Sequence, residues 1–208
     1  MLLLRSRTVP GLFVTFEGID RSGKTTQARM LCEALGDEAL AVREPGGTEV
    51  GERVRALLKD PGLAVGGRTE ALLFAAARAE LVAQVIRPAL AEGRVVVSDR
   101  FLDSSLAYQG EARGLGIEEV ARVNEFAVGG LAPDLTFLLE LPVAAAQERG
   151  VVEGDRFEEE GAALQDAVAR GYERLVEDGS GRWRRLVADR PPEDVHAEVL
   201  SAVREARS

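Results

Sequence analysis

The sequence predicts an α/β fold in which a five-stranded parallel sheet is flanked by helices. Strand-like and helix-like segments alternate along the chain, which is typical of βαβ units. The apolar triplet 95–97 (Val-Val-Val) has the pattern of a central strand that is buried on both faces. The 208 residues, 46% of them hydrophobic, are enough for one domain with a sizeable core. We therefore expect a single domain over residues 1–208.

Short apolar, β-branched runs predict the five strands at 12–17, 39–43, 95–97, 135–141 and 184–188. Apolar residues at helical spacing predict helices at 25–35, 50–58, 69–90, 117–128, 143–149 and 158–177, with a last helix from residue 193. Pro88 is expected to kink or restart the third of these helices. The segment 150–160 is rich in Gly, Glu and Asp, which predicts a mobile loop.

Composition excludes several classes of protein. No apolar run approaches the roughly 18 residues of a membrane span, and no signal-peptide cleavage pattern follows Met1–Leu4. One cysteine, Cys32, cannot form an internal disulfide, which favours a reducing, cytoplasmic location. A net charge of −9 without a basic run argues against a nucleic-acid polymer as partner. The single histidine, His196, makes a His-based metal site or a Ser-His-Asp triad a poor interpretation.

A phosphate-binding motif directly follows the first predicted strand. The segment 18–25 (GIDRSGKT) matches G-x-x-x-x-G-K-[ST], the P-loop, and precedes a predicted helix. Its glycines let backbone N–H groups point at phosphate oxygens, while Lys24 can follow the β/γ-phosphates and Thr25 offers a hydroxyl to Mg²⁺. Lys24 is one of only two lysines in the chain. The predicted ATP-binding residues are Gly18, Ile19, Asp20, Arg21, Ser22, Gly23, Lys24, Thr25 and Thr26.

The rest of the sequence narrows the type of P-loop protein. A guanine-reading Asn-Lys-x-Asp motif is absent, because Asn124 is the only asparagine and Glu125 follows it. A large ATPase or transporter subunit would need a longer chain. The remaining interpretation is a P-loop kinase fold that moves the γ-phosphoryl group to a second small molecule.

Several motifs then occur in one order over residues 12–158, and together they resemble the thymidylate kinase (dTMP kinase) family. They are 16–27 (FEGIDRSGKTTQ), 43–48 (REPGGT), Leu73-Phe74 with Arg78, Asp99-Arg100 with Gln109-Gly110, 132–136 (APDLT) and 156–158 (RFE). The resemblance implies phosphorylation of dTMP to dTDP by ATP with Mg²⁺, in dTTP biosynthesis. It also implies a homodimer.

Asp99 ends the central strand, at the sheet edge where ligands of α/β proteins bind, and Arg100 follows it. An arginine presents a fixed fork that suits a phosphate. The resemblance makes Arg100 a ligand of the dTMP phosphate and places Asp99 near Mg²⁺, together with Thr25. It also implies that Asp20 contacts the 3′-hydroxyl of dTMP and that Arg21 assists transfer.

Phe74 and Arg78 lie four residues apart, so they share one face of a helix. The resemblance implies that thymine stacks on Phe74 and that Arg78 contacts the edge of the base. The alternatives, a core phenylalanine and a structural helix arginine, stay open. The resemblance completes the predicted dTMP-binding residues as Asp20, Glu44, Pro45, Arg55, Phe74, Arg78, Arg100, Ser104, Ser105, Tyr108 and Gln109.

A lid is predicted at about 149–160, with Arg149 and Arg156 in a short Arg-Gly…Asp-Arg-Phe-Glu form. Because Arg21 is present in the P-loop as well, the division of labour among these three arginines stays open. The predicted catalytic residues are Lys24, Arg21, Asp99, Arg100, Arg149 and Arg156. Two alternatives to a dTMP kinase also stay open: another nucleoside or nucleoside-monophosphate kinase on the same fold, and an interaction module that binds ATP without transferring phosphate.

Overall fold

A computed structural model describes residues 11–149, 161–177 and 181–207. Its centre is a five-stranded sheet in the order β2-β3-β1-β4-β5, in which every neighbouring pair is parallel. The strands are β1 Leu12–Glu17, β2 Ala39–Arg43, β3 Val95–Asp99, β4 Leu135–Glu140 and β5 Trp183–Val187. The predicted α/β fold with a five-stranded parallel sheet is therefore confirmed, with strand ends shifted by one or two residues.

Helices cover the sheet, and their bounds follow the predicted pattern. They are α1 Lys24–Leu35, α2 Glu49–Lys59, α3 Gly67–Leu81, α4 Arg87–Ala91, α5 Leu102–Ser105, α6 Ile117–Val128, α7 Val143–Glu148, α8 Gly161–Glu177 and α9 Pro192–Ala206. The predicted mobile loop at 150–160, and with it the first three residues of the helix expected at 158–177, lie outside the described residues.

The long predicted helix at 69–90 is interrupted, as Pro88 led us to expect. A π-helical turn, Val82–Ile86, separates α3 from α4, and Arg87 donates its backbone N–H to the carbonyl of Val82. Proline has no N–H to give to the preceding turn, so the hydrogen-bond ladder cannot continue unchanged through this point. The helix then restarts with Pro88 in its first turn.

One helical region was not predicted. Residues after β3 form the short helix α5 and a π-helical segment, Leu106–Ala112. The sequence there contains two serines and a glycine, which disfavour a helix by propensity alone. Close packing compensates, because a Cβ added to Gly171 of α8 would lie 2.9 Å from Ala107 Cα.

Apolar residues of the central strands alternate between the two faces of the sheet. Val14 and Phe137 belong to a core that also includes residues of α1, α8 and α9. Phe13 and Val96 belong to a second core formed with the helices on the other face. Within the residues that the structure describes, no helix has the length and apolar character needed to cross a membrane.

Candidate active site

The phosphate loop connects β1 to α1. Gly18 has φ +137°, and a Cβ there would lie 2.6 Å from the carbonyl oxygen of Leu139, so only glycine fits. Lys24 is buried, and its Nζ donates to the carbonyl oxygen of Ile19 at 2.6 Å. Burial, and then the neighbouring Arg100 charge, lower the pKa of Lys24 to about 8. A phosphate group beside this ammonium would relieve both effects.

Thr25 and Asp99 meet at the carboxyl edge of the sheet. The parallel register pairs Phe16 of β1 with Asp99 of β3, which brings the loops after these strands together. Thr25 Oγ1 donates to Asp99 Oδ2 at 2.5 Å. A hydroxyl and a carboxylate are hard oxygen donors of the kind that Mg²⁺ prefers, and the ion normally takes its other ligands from water and substrate phosphates. The two predicted metal residues therefore fit a Mg²⁺ site.

Arg100 is held in an unusual backbone conformation. Its φ is +72°, which is uncommon outside glycine, and its N–H donates to the carbonyl oxygen of Phe16 at 3.0 Å. The guanidinium donates to the carbonyl oxygen of Gly18 at 3.1 Å, to Ser104 Oγ at 3.0 Å and to Asp20 Oδ1 at 2.5 Å. The strained backbone thus aims this arginine at the phosphate loop.

Asp20 is held by two further groups besides Arg100. Its carboxylate accepts from the Tyr108 hydroxyl at 3.0 Å and from Gln165 Nε2 at 2.6 Å, while its backbone N–H donates to Gln165 Oε1 at 3.0 Å. Burial would raise the pKa of Asp20, but the charges of Arg100 and Lys24 bring it below its ordinary value. Asp20 is therefore an ionised carboxylate. Gln165, on α8, is a site residue that no sequence motif indicated.

Glu17 is a second residue that the sequence reasoning missed. It is fully buried and accepts from the Phe101 N–H at 2.8 Å, Ser104 Oγ at 2.6 Å and the Tyr172 hydroxyl at 2.8 Å. Burial, and then the charge of Asp103, raise the pKa of Glu17 to about 7. The sequence did contain a signal for this residue, because Glu17 is a charged residue at the end of an otherwise apolar strand. Glu17 holds in place the residues that surround the Arg100 guanidinium.

A cavity of about 700 Å³ opens beside the P-loop, and we call it the acceptor cavity. Every predicted dTMP-binding residue lines it, as do Arg21, Lys24, Thr25 and Asp99. Three residues that were not predicted as ligands complete the wall: Arg43, Leu58 and Lys59. The structure therefore brings the predicted residues together around one cavity.

Arg78 lines this cavity and is 1% exposed. Its Nε donates to Glu44 Oε2 at 2.8 Å, its Nη1 to Ser105 Oγ at 3.1 Å and to Asn124 Oδ1, and its Nη2 to the carbonyl oxygen of Phe101 at 3.2 Å. Burial raises the pKa of Glu44, and Arg78 opposes that rise. The network supports a structural role for Arg78. Its predicted contact with the base stays a prediction.

The remaining predicted ligands lie on three elements around the cavity. Phe74 on α3 is half-buried, packs against the small core cluster of Val54, Leu58 and Ala77, and lines the acceptor cavity. Arg55 on α2 donates to the carbonyl oxygen of Pro45 at 2.9 Å. Gln109, in the π-helical segment, donates its Nε2 to Glu70 at 2.9 Å.

A second cavity, of about 330 Å³, is also lined by residues of the P-loop, and we call it the donor cavity. Its wall includes Arg149, which donates to the carbonyl oxygens of Arg21 at 3.2 Å and Ala188 at 2.8 Å. The other residues around it are Ser22, Gly23, Thr26, Gln27, Leu139, Ala188, Arg190, Pro192 and Val195. The second predicted lid arginine, Arg156, lies outside the described residues.

Comparison with known proteins agrees with this geometry. The family model described as thymidylate kinase matches residues 16–199. A curated thymidylate kinase of Desulforudis audaxviator is 52% identical over 186 residues, which cover 86% of this chain and 84% of the relative. One from Halothermothrix orenii is 46% identical over 202 residues, covering 93% and 97%, and one from Lactobacillus helveticus is 43% identical over 202 residues, covering 93% and 95%.

Proposed function

The chain belongs to the thymidylate kinase family, and we propose that it uses the two cavities beside its P-loop to transfer the γ-phosphoryl group of ATP to dTMP. The products are dTDP and ADP, and the enzyme serves nucleotide biosynthesis on the way to dTTP. The observation that carries the proposal is that residues of the P-loop line both the acceptor cavity and the donor cavity. Two nucleotides in these cavities would meet at the P-loop.

In the acceptor cavity, we assign the phosphate of dTMP to Arg100, whose guanidinium already faces the phosphate loop. We assign the 3′-hydroxyl of dTMP to Asp20, whose ionised carboxylate is a hydrogen-bond acceptor paired with the same arginine. Phe74 stacks on the base, and Arg78 and Gln109 face its edge. Glu44, Pro45, Arg55, Ser104, Ser105 and Tyr108 complete the wall.

In the donor cavity, we place the adenosine of ATP between α9 and Arg149. Apolar side chains of Pro192 and Val195 and the flat guanidinium of Arg149 suit a planar base. The triphosphate then runs from the donor cavity along the P-loop toward Lys24. Ser22, Gly23 and Thr26 line the start of this path.

Transfer needs positioning and charge neutralisation rather than a covalent intermediate. The ammonium of Lys24 neutralises charge on the transferring group, and Thr25 and Asp99 would hold Mg²⁺. Bound there, Mg²⁺ would supply positive charge that offsets the negative charge of the substrate phosphates. Arg21, inside the loop, and Arg149, beside it, provide further guanidinium donors, and Arg156 in the lid at about 149–160 is the third candidate.

For the assembly, we propose a single domain over residues 1–208 that forms a homodimer in the cytoplasm. Two helices that contact each other, α3 and α6, expose the large apolar side chains of Leu72 and Phe126, the latter 93% exposed. Such side chains on adjacent helices suit burial against a second copy. Light scattering on the wild-type chain should give the mass of a dimer, and Phe126→Asp should shift it toward the monomer. A monomeric wild type would refute this part.

The kinase proposal is tested by a coupled assay of ADP release with ATP, Mg²⁺ and a panel of nucleoside monophosphates. We expect dTMP to give the highest kcat/KM. Equal or better rates with dCMP or AMP would refute the thymidylate assignment in favour of another monophosphate kinase. Tight ATP binding without acceptor-dependent turnover would instead identify an interaction module.

A further inference from the structure

We propose that Glu70 is a positioning residue that sets the base specificity of the acceptor cavity by fixing the orientation of the Gln109 side-chain amide. The inference rests on the proposed function, in which Gln109 faces the base. Glu70 belongs to α3, and Gln109 belongs to the π-helical segment that follows α5. Both side chains are buried.

Among the described residues, the Gln109 side chain makes one hydrogen bond with the protein. Its Nε2 lies 2.9 Å from Glu70 Oε1, and within the described residues its Oε1 accepts no hydrogen bond. Gln109 also lines the acceptor cavity. The oxygen of this amide is therefore the polar atom left for a ligand.

The chemistry of the partner determines which way the amide faces. An ionised carboxylate can only accept hydrogen bonds, whereas an amide has one accepting end and one donating end. Because Glu70 also accepts from Arg113 Nε and Nη2, both at 3.2 Å, the carboxylate has a cationic partner and presents oxygen lone pairs to its neighbours. The NH₂ end of Gln109 must face Glu70, and its oxygen must face away from it.

A fixed acceptor in the cavity distinguishes pyrimidine bases at one atom. Thymine and uracil both carry a hydrogen at N3 and can donate it to the Gln109 oxygen. Cytosine has a lone pair at N3, so it would face that oxygen with no hydrogen between them. A site that leaves a buried polar group unpaired rejects the wrong ligand strongly. Glu70 thereby selects against cytosine while touching no substrate.

The test compares kcat/KM for dTMP, dUMP and dCMP in wild type and Glu70→Gln. A neutral amide at position 70 can accept or donate, so Gln109 is free to present either end to the base. We expect the dTMP-to-dCMP ratio to narrow by about tenfold or more. The dTMP-to-dUMP ratio should stay within about twofold of wild type, because both bases carry the N3 hydrogen. KM for dTMP should rise while kcat stays within about threefold.

The matched control is Arg113→Lys, which keeps a positive charge beside Glu70 but removes the forked guanidinium contact. If Glu70 acted only by clamping α3 to the π-helical segment, this variant would narrow the dTMP-to-dCMP ratio as much as Glu70→Gln does. We expect it to leave the ratio near the wild-type value. An equal effect of both variants would overturn the proposal.

A further variant protects the test from a folding failure of Glu70→Gln. Gln109→Leu removes the amide altogether, so it should narrow the same ratio, and adding Glu70→Gln to it should change the ratio no further. A wild-type ratio in Gln109→Leu or in folded Glu70→Gln would overturn the role of Glu70. Absence of dTMP turnover in the wild type would refute the proposed function instead, so the two failures are distinguishable.

Discussion

Arg100 Nη2 and Asp20 Oδ1 lie 2.5 Å apart, so the guanidinium expected to bind the acceptor phosphate is already paired with a carboxylate of the P-loop. A phosphate entering the acceptor cavity has to compete with that carboxylate for the same donors. The ion pair therefore keeps Arg100 in place before the substrate arrives, at the cost of some affinity for anions.

Replacing Asp20 by Asn should separate these two effects. Without the carboxylate charge, Arg100 is more available, so competitive inhibition by inorganic phosphate against dTMP should strengthen about three- to tenfold. At the same time kcat/KM for dTMP should fall, because the 3′-hydroxyl loses an ionised acceptor. Unchanged phosphate inhibition would show that Asp20 does not compete for Arg100.

Lys24→Ala should abolish nearly all transfer while dTMP binding is largely kept. The ammonium neutralises charge on the transferring group, so its loss acts chiefly on kcat. Steady-state kinetics and dTMP titration measure the two quantities separately. Arg29→Ala, an exposed change on the same helix, serves as the control. A Lys24→Ala enzyme with more than about a tenth of wild-type kcat would contradict the role.

Arg21→Ala should reduce kcat by roughly 10²-fold with little change in KM, provided that the guanidinium contacts phosphate mainly in the transition state. The same measurement on Arg149→Ala ranks the two arginines that the structure places at the P-loop. If kcat is unchanged in Arg21→Ala, the stabilising role passes to Arg149 or Arg156.

Arg78→Ala should affect both stability and specificity. Removing one partner of a buried ion pair leaves the other uncompensated, here Glu44, which costs about 3–5 kcal/mol of unfolding free energy. If Arg78 also contacts the edge of the base, the variant should strongly reduce kcat/KM for dTMP and lower the ratio of kcat/KM for dTMP to that for dCMP. Denaturant unfolding and substrate kinetics measure the two effects. A wild-type dTMP-to-dCMP ratio would leave Arg78 with a structural role alone.

Glu17 should make stability depend on pH in a defined window. Its pKa is about 7 in the folded protein against an ordinary 4.5, so between these values the folded state binds more protons than the unfolded state. The contribution is complete below pH 4.5 and is lost as pH rises to about 7, on the order of 1–3 kcal/mol. In Glu17→Gln this decline should be absent from unfolding curves recorded across the window. An identical pH dependence in both proteins would disprove it.

The local sequence pattern was sufficient to predict most of the fold and to predict which residues lie together at the candidate site. The P-loop is continuous in sequence, Asp99 ends a buried strand and Arg100 follows it, so the location of both residues at the sheet edge could be inferred. The π-helical segment Leu106–Ala112 could not, because its conformation depends on the close approach of α8 at Gly171 rather than on its own propensity.

The local sequence pattern did not identify the residues that hold other site residues in place. Gln165 contacts Asp20 across 145 positions, and Tyr172 contacts Glu17 across 155. On an amphipathic helix, the spacing of a glutamine is that of any surface residue, and the spacing of a tyrosine is that of any core residue. Spacing therefore does not indicate that either one belongs to a site. Arg78 is a similar example. Its position on the cavity side of α3 could be predicted, but its hydrogen bonds to Glu44 and Asn124 could be found only from the tertiary structure.

The glycine at position 171 has a mechanical consequence. Because a Cβ at position 171 would lie only 2.9 Å from Ala107 Cα, no side chain of residue 171 separates α8 from the π-helical segment. Tightly packed interiors transmit displacement instead of absorbing it. The backbone of α8 and the π-helical segment that carries Tyr108 and Gln109 should therefore move together. A displacement at the start of α8 would then also shift the part of the acceptor cavity where we place the nucleobase.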